Sequence, residues 1–227
     1  MATQITKQVR DARRGQRQAL QKKGTTMHRK RFIQAALSVA TVSVTLLAQQ
    51  SPAAAAPVRP LTSLPYQIQG PPTLFGGSAR CINDPDGSVT NGTQMIIYNC
   101  NSPKVNNEWE FNVVDSMLFE GRRLNVYNLA SKNVPSPQKC LTVQGASTAN
   151  NAPIIQYECN MGPNEEWFVE YKETLATPSG NADFYWIENR NSFKCIVVQG
   201  AGTTDGAKLV QYDCNLGPNE LWTWYPV

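Results

Sequence analysis

Residues 194–201 read Lys194-Cys195-Ile196-Val197-Val198-Gln199-Gly200-Ala201, and residues 139–146 read Lys139-Cys140-Leu141-Thr142-Val143-Gln144-Gly145-Ala146. Working outward, Ile155-Gln156-Tyr157-Glu158-Cys159-Asn160-Met161-Gly162-Pro163-Asn164-Glu165-Glu166-Trp167 matches Val210-Gln211-Tyr212-Asp213-Cys214-Asn215-Leu216-Gly217-Pro218-Asn219-Glu220-Leu221-Trp222. A more divergent third copy lies upstream: Arg80-Cys81-Ile82-Asn83, then Ile96-Ile97-Tyr98-Asn99-Cys100-Asn101, then Asn106-Asn107-Glu108-Trp109. The six cysteines fall at 81 and 100, 140 and 159, 195 and 214, and one interval of nineteen positions separates each pair. Self-similarity of this kind marks a domain built from copies of one unit.

The local elements are short strands. Cys140 to Gln144 and Ile154 to Cys159 are β-branched or aromatic runs, and the turn formers Gly145 to Pro153 separate them. A further strand precedes each cysteine pair, at Tyr66–Gln69, Leu124–Tyr127 and Tyr185–Glu188. Another follows at each tryptophan, as in Trp109 to Val114. Four strands in each of three copies give about twelve, and nothing after residue 56 sustains a helical period. The expected fold is all-β with pseudo-threefold symmetry, in repeats of about 64–120, 121–178 and 179–227.

The cysteines set the chemistry and the compartment. An even number of them in an exported chain reads as disulfides, and six allow fifteen pairings. A unit copied in sequence predicts a copied cross-link: Cys81–Cys100, Cys140–Cys159 and Cys195–Cys214. Each closes a loop of about twenty residues and stabilises by about 3 kcal/mol in the chain-entropy picture.

Upstream of residue 57 the chain reads as an export leader. Phe32 to Ala48 is uncharged, Arg29-Lys30-Arg31 precedes it, and Ala53 to Ala56 follows Ser51-Pro52. A basic head, an apolar stretch and a small-residue exit describe a cleavable signal, with cleavage expected near Ala55 or Ala56. Residues 57–63 form a short linker. Met27 would serve as a start by itself. Residues 1–31 carry ten Lys or Arg and one acidic residue, a net of +9, against +4 for the whole chain, so residues 32–227 carry 4 − 9 = −5. The basic charge leaves with the leader, which argues against a nucleic-acid partner and, after cleavage, against a membrane one. The expected location is extracellular, and the expected state is a monomer.

The only histidine, His28, also lies in the leader, and every cysteine is assigned to a cross-link. Ser–His and Cys–His catalysis and histidine-containing zinc sites are thereby excluded. No metal or other cofactor is expected.

The pattern resembles the ricin-type lectin repeat, also called the family 13 carbohydrate-binding module, across residues 64 to 227. The shared features are Cys-Leu-x-Val, an aromatic two residues before the second cysteine, an Asn, and a terminal x-x-Trp. The resemblance implies a β-trefoil, with twelve strands forming a six-stranded barrel capped by three hairpins, and one shallow sugar site per repeat. It places the stacking aromatic at Tyr98, Tyr157 and Tyr212, and the family's Asn at Asn106, Asn164 and Asn219. The Gln of Gln-x-Trp becomes Asn107, Glu165 and Glu220. The family's hydroxyl-binding Asp becomes Asn83, Thr142 and Val197, and the valine accepts no hydrogen bond. The galactose preference therefore does not carry over, and Glu165 and Glu220 are the candidate replacement acceptors. Trp109, Trp167 and Trp222 are expected in the core.

Such sites have a simple physical basis. A pyranose packs its C–H face on an aromatic ring, while amides and carboxylates bond its hydroxyls. Repetition on one rigid body raises avidity for a polymer. A trefoil used as a protein-binding or inhibitory scaffold is the competing reading, because one fold hosts many functions. A glycosidase needs two carboxylates about 5–10 Å apart across one bond. Glu165 and Glu166 are adjacent and point to opposite faces of a strand, which spoils that pairing.

Overall fold

A computed structural model describes residues 64–227 apart from 73, 102–103 and 120–121. The expected export leader, its cleavage site and the linker lie outside the described residues. Twelve strands follow in order: β1 Tyr66–Gln69, β2 Arg80–Asn83, β3 Ile96–Asn99, β4 Glu108–Phe119, β5 Arg122–Pro135, β6 Gln138–Val143, β7 Ile154–Glu158, β8 Glu166–Thr177, β9 Gly180–Asn189, β10 Cys195–Val198, β11 Leu209–Tyr212 and β12 Thr223–Pro226. The helical segments among the described residues are 3-10 turns, and none is long and apolar enough to cross a membrane.

Six strands close a barrel. β1 pairs with β4 and with β12, β4 with β5, β5 with β8, and β8 with β9. A bridge between Tyr185 and Trp222 joins β9 to the start of β12. The other six strands form three hairpins, β2–β3, β6–β7 and β10–β11. Bridges Gln94–Ile155, Pro153–Val210 and Ile96–Lys208 tie the hairpins to one another in a triangle. This is the β-trefoil, and closure removes the exposed sheet edges that an open sheet would leave.

The repeat explains the core. Trp109, Trp167 and Trp222 are fully buried, as expected, among Ile68, Ile82, Leu141, Ile154, Ile196 and Leu209. A buried indole N–H needs an acceptor, and each finds one in its own copy. Trp109 Nε1 donates to the Ile82 carbonyl at 3.0 Å, Trp167 to Leu141 at 2.9 Å and Trp222 to Ile196 at 2.9 Å. The disulfides pair within copies, Cys81–Cys100, Cys140–Cys159 and Cys195–Cys214.

Neighbouring repeats are clamped by glutamines three residues before the second cysteine. Gln156 donates through Nε2 to the carbonyls of Ser88 (2.7 Å) and Thr90 (3.1 Å) in the preceding repeat. Gln211 does the same to Ser147 and Ala149, both at 2.8 Å, and accepts from Ser192 Oγ at 2.7 Å. The first repeat has Ile97 at this position, buried in the core. That seam is held instead by Gln94, whose Nε2 donates to the Leu209 carbonyl at 3.0 Å, and by an ion pair between Arg80 and Asp205 at 2.7 Å.

The barrel strands run well past the sequence expectation. β4–β5 and β8–β9 are paired out to Phe119–Arg122 and Thr177–Gly180. Their outer residues alternate weakly in polarity, so period-2 patterning did not mark them.

Candidate functional site

Strand register assigns each hairpin an outward and an inward face. Tyr98 pairs with Cys81, Tyr157 with Cys140 and Tyr212 with Cys195, and directly paired residues share a face. Two positions along on that face are Asn83 opposite Ile96, Thr142 opposite Ile155, and Val197 opposite Val210. The inward face carries Leu141, Val143 and Ile154 in the second repeat, Ile196, Val198 and Leu209 in the third, and Ile82 and Met95 in the first, all in the core. Each outward face is therefore a strip with a tyrosine at one end, the disulfide beneath it, and residue 83, 142 or 197 at the other.

The tyrosines stand at the open end of the strip. Tyr98 is 40 % exposed, Tyr157 42 % and Tyr212 38 %, in a fold whose other repeated aromatics, the tryptophans, are fully buried. The far end is closed. Asn83 is buried and leaves its Nδ2 without a partner, while Thr142 Oγ1 donates back to the Cys140 carbonyl at 3.0 Å. Val197 packs with Phe184, Trp186, Cys195 and Leu221 in a small apolar cluster of its own, and Lys172 sets its ammonium over the Trp186 ring at 3.6 Å.

The asparagines hold the backbone. Asn164 Nδ2 donates to the Val143 carbonyl and Asn219 Nδ2 to that of Val198, each at 3.1 Å. Asn106 accepts from the Asp84 N–H through its own carbonyl at 2.7 Å. All three are half-buried.

The structure corrects the role given to Glu165 and Glu220. Both are buried, and each carboxylate works inside its own turn. Glu165 Oε1 accepts from the N–H groups of Asn160, at 2.6 Å, and Met161. Glu220 Oε1 accepts from Asn215, at 2.6 Å, and Leu216. The reason lies in the backbone. After the second cysteine the chain turns through a left-handed residue, Met161 at φ 63° and Leu216 at φ 67°, so consecutive N–H groups point inward without a strand partner. An acceptor must be supplied there, because an unpaired buried N–H costs about 1–3 kcal/mol. Burial pushes both carboxyls above the ordinary glutamate value, and the same backbone N–H groups pull them back. Neither carboxylate is exposed on the outward face. Asn107 is likewise buried: its Oδ1 accepts from Gln67 Nε2 at 3.0 Å and its Nδ2 donates to the Cys100 carbonyl at 3.3 Å.

Two features escaped the sequence reading. Met161 and Leu216 occupy the same place in their repeats, are 60 % and 58 % exposed, and sit in a backbone region that costs a side-chain-bearing residue about 1 kcal/mol or more. Asp84 stands three residues after Cys81, where the other copies have the core residues Val143 and Val198. It is fully buried, and Asn133 Nδ2 donates to its Oδ2 at 3.0 Å. Burial pushes its pKa up to about 6, against the pull of Asn133 and the Ser88 N–H. Comparing the three copies position by position, Asp against Val and Val, would have marked it. Among the described residues no three His, Cys, Asp or Glu side chains cluster closely enough to hold a metal ion.

The family model described as "Ricin-type beta-trefoil lectin domain-like" matches residues 106–212 and 164–226. No curated protein matches. Among solved structures, the chain resembles a designed threefold-symmetric protein, ThreeFoil, at 25 % identity and TM-score 0.55, covering 71 % of this chain and 99 % of that one. It also resembles an exo-β-1,3-galactanase from Clostridium thermocellum at 22 % identity and TM-score 0.57, over 73 % of this chain but 31 % of the galactanase. A third similarity is to the Polyporus squamosus lectin solved with a sialylated epitope, at 13 % identity and TM-score 0.51, over 73 % of this chain and 50 % of that one. The last two likenesses speak to the fold alone. With its three copied disulfides, its closed barrel and a family model spanning more than half its length, this chain belongs to the ricin-type β-trefoil lectin domain-like family.

Proposed function

We propose that this protein is a secreted, monomeric, non-catalytic carbohydrate-binding protein that engages a glycan through shallow sites on its hairpins. The observation that carries the reading is the set of three equivalent tyrosines, each about two-fifths exposed on the outward face over a disulfide. An aromatic ring held this way offers a flat apolar platform that costs little entropy to order. The rigid trefoil fixes the platforms relative to one another, so weak single contacts add up on a polymer.

Catalysis has no support in the site. Glu165 and Glu220, the acidic residues repeated beside the tryptophans, are buried in their turns and belong to different copies. One active site needs two carboxylates facing a single bond. The nearest rival is a trefoil that binds protein, favoured by the closure of the third strip with Val197, Phe184, Trp186 and Leu221.

A glycan array probed with the exported protein tests the proposal. Binding to at least one glycan class is expected, with loss of more than ten-fold in affinity in Tyr157→Ala/Tyr212→Ala and competition by the free oligosaccharide. Unchanged affinity when Tyr98 is replaced by Ala as well, so that all three rings are gone, would overturn the site assignment. Capture of a protein that soluble sugar does not displace would favour the rival.

A further inference from the structure

Met161 and Leu216 stand out from the other exposed apolar residues because the structure presents them twice, in the same way. Each lies two residues after the closing cysteine and is about three-fifths exposed, with a left-handed backbone that glycine would occupy without strain. In each case a buried glutamate bonds the residue's own N–H and that of its predecessor, which fixes where the side chain emerges. A solvent-exposed aliphatic group contributes nothing to folding by being there, and a strained backbone opposes it.

Their position explains them. Asn128 Nδ2 lies 3.7 Å from Cys140 Sγ and 3.9 Å from Met161 Sδ. Met161 therefore sits over the same disulfide that Tyr157 faces across the strand pair from Cys140. Tyr157 and Met161 thus both lie beside that cross-link. In the third repeat Tyr212 and Leu216 bracket Cys195–Cys214 in the same order, and Trp186 takes the strand position of Asn128, two residues before the partner of the first cysteine. The first repeat has Ser102 at the matching position, so the feature belongs to two copies.

We infer that repeats two and three bind a neutral pyranose bearing a methyl-terminated substituent, an acetamido group or a 6-deoxy methyl, with the ring on Tyr157 or Tyr212 and the methyl on Met161 or Leu216. This rests on the lectin reading and deepens it. A fully hydroxylated hexose would lay a hydroxyl against the apolar side chain of Met161 or Leu216, where it gives up part of its water without gaining a strong hydrogen-bond partner. A methyl in that place gains apolar contact instead. The net charge of −5 over residues 32–227 disfavours acidic sugars.

Calorimetric titration of the whole protein with matched glycosides tests this: N-acetylglucosamine against glucose, N-acetylgalactosamine against galactose, L-fucose against L-galactose and L-rhamnose against L-mannose. At least one methyl-bearing member is expected to bind ten-fold or more tightly than its hydroxylated counterpart, with two molecules per chain. The first two pairs report an acetamido ligand and the last two a deoxy sugar. Met161→Gly and Leu216→Gly should each weaken or abolish one of the two sites while raising the thermal midpoint, because glycine relieves the left-handed backbone. Met161→Asn, which also tolerates that backbone, should erase the preference without unfolding the turn. Equal affinity for the hydroxylated counterparts, or glycine variants that bind unchanged, would overturn the inference and leave the lectin reading standing. No binding to any sugar in the panel or on an array would overturn both.

Discussion

Replacing Asp84 by asparagine should make this protein more stable, and more so in base than in acid. The carboxyl is fully buried where the sister repeats hold Val143 and Val198, and burial raises its pKa from 3.8 to about 6. At about 1.4 kcal/mol per unit, a shift of about two units makes the ionised side chain cost on the order of 3 kcal/mol in the fold. The sign follows from proton uptake. Between 3.8 and about 6 the folded state holds the proton more tightly than the unfolded chain, so stability falls as pH rises through that window. Above it the whole penalty is present; below it the penalty vanishes.

Asp84→Asn keeps the shape and still accepts from Asn133, whose Nδ2 lies 3.0 Å from the present carboxylate. Its new amide nitrogen takes the place of Oδ1, which is buried without a hydrogen-bond partner, and stays unpaired there, which takes back about 1 kcal/mol. The expected gain is about 2 kcal/mol at about pH 8, shrinking to near zero at about pH 4. Urea denaturation of both proteins at the two pH values measures this, since the shared contributions of Glu165 and Glu220 cancel in the difference. A variant no more stable than the parent at high pH, or an increment that ignores pH, would refute the account of Asp84 as a buried charge.

Glu165→Ala should cost about 2 kcal/mol, because the N–H groups of Asn160 and Met161 lose their acceptor. Glu165→Gln keeps an acceptor oxygen and removes a disfavoured charge, so it should be neutral or stabilising at neutral pH; denaturant midpoints of the two variants decide it. Gln211→Ile, which imports the residue found at Ile97 in the first repeat, should cost about 2 kcal/mol by orphaning the carbonyls of Ser147 and Ala149 and the Ser192 hydroxyl. Faster amide exchange at Asn151, whose N–H bonds the Gln211 carbonyl, would locate the loss at that seam.

The scaffold was legible because its determinants are covalent or bulky and occur three times. Cysteines at a fixed interval and a tryptophan at the end of each unit leave few folds that could satisfy them. The site residues were legible in position but not in direction. Aligning Glu165 with a family glutamine gives the right turn. It does not reveal that a left-handed Met161 leaves two N–H groups pointing inward for that side chain to bind. Tyr157 was the converse case. Ile154 and Ile155 put an apolar residue on each alternating face of its strand, so the sequence allowed either, and only the register against Cys140 sends it outward. Asp84 passed unremarked because a surface aspartate beside Pro85 and Gly87 is ordinary turn chemistry, and burial alone makes it unusual.

The three strips differ most at the end away from the tyrosine, and those differences follow from what surrounds each hairpin. In the third repeat the β8–β9 ribbon brings Phe184 and Trp186 over the strand carrying Val197, and Leu221 joins them. A carboxylate at 197 would be desolvated among these apolar side chains, and the one ammonium beside them, that of Lys172, is already seated on the Trp186 ring. The valine is thus what the ribbon allows. In the second repeat Thr142 spends its hydroxyl on the Cys140 carbonyl, and in the first Asn83 keeps an amide without a partner. Recognition that relied on this end would give three unlike sites. The tyrosine end is nearly invariant, and in two repeats it is extended by the same exposed aliphatic group. If the protein reads a repeating glycan, its repeated chemistry resides there, at the ring and the residue across the disulfide.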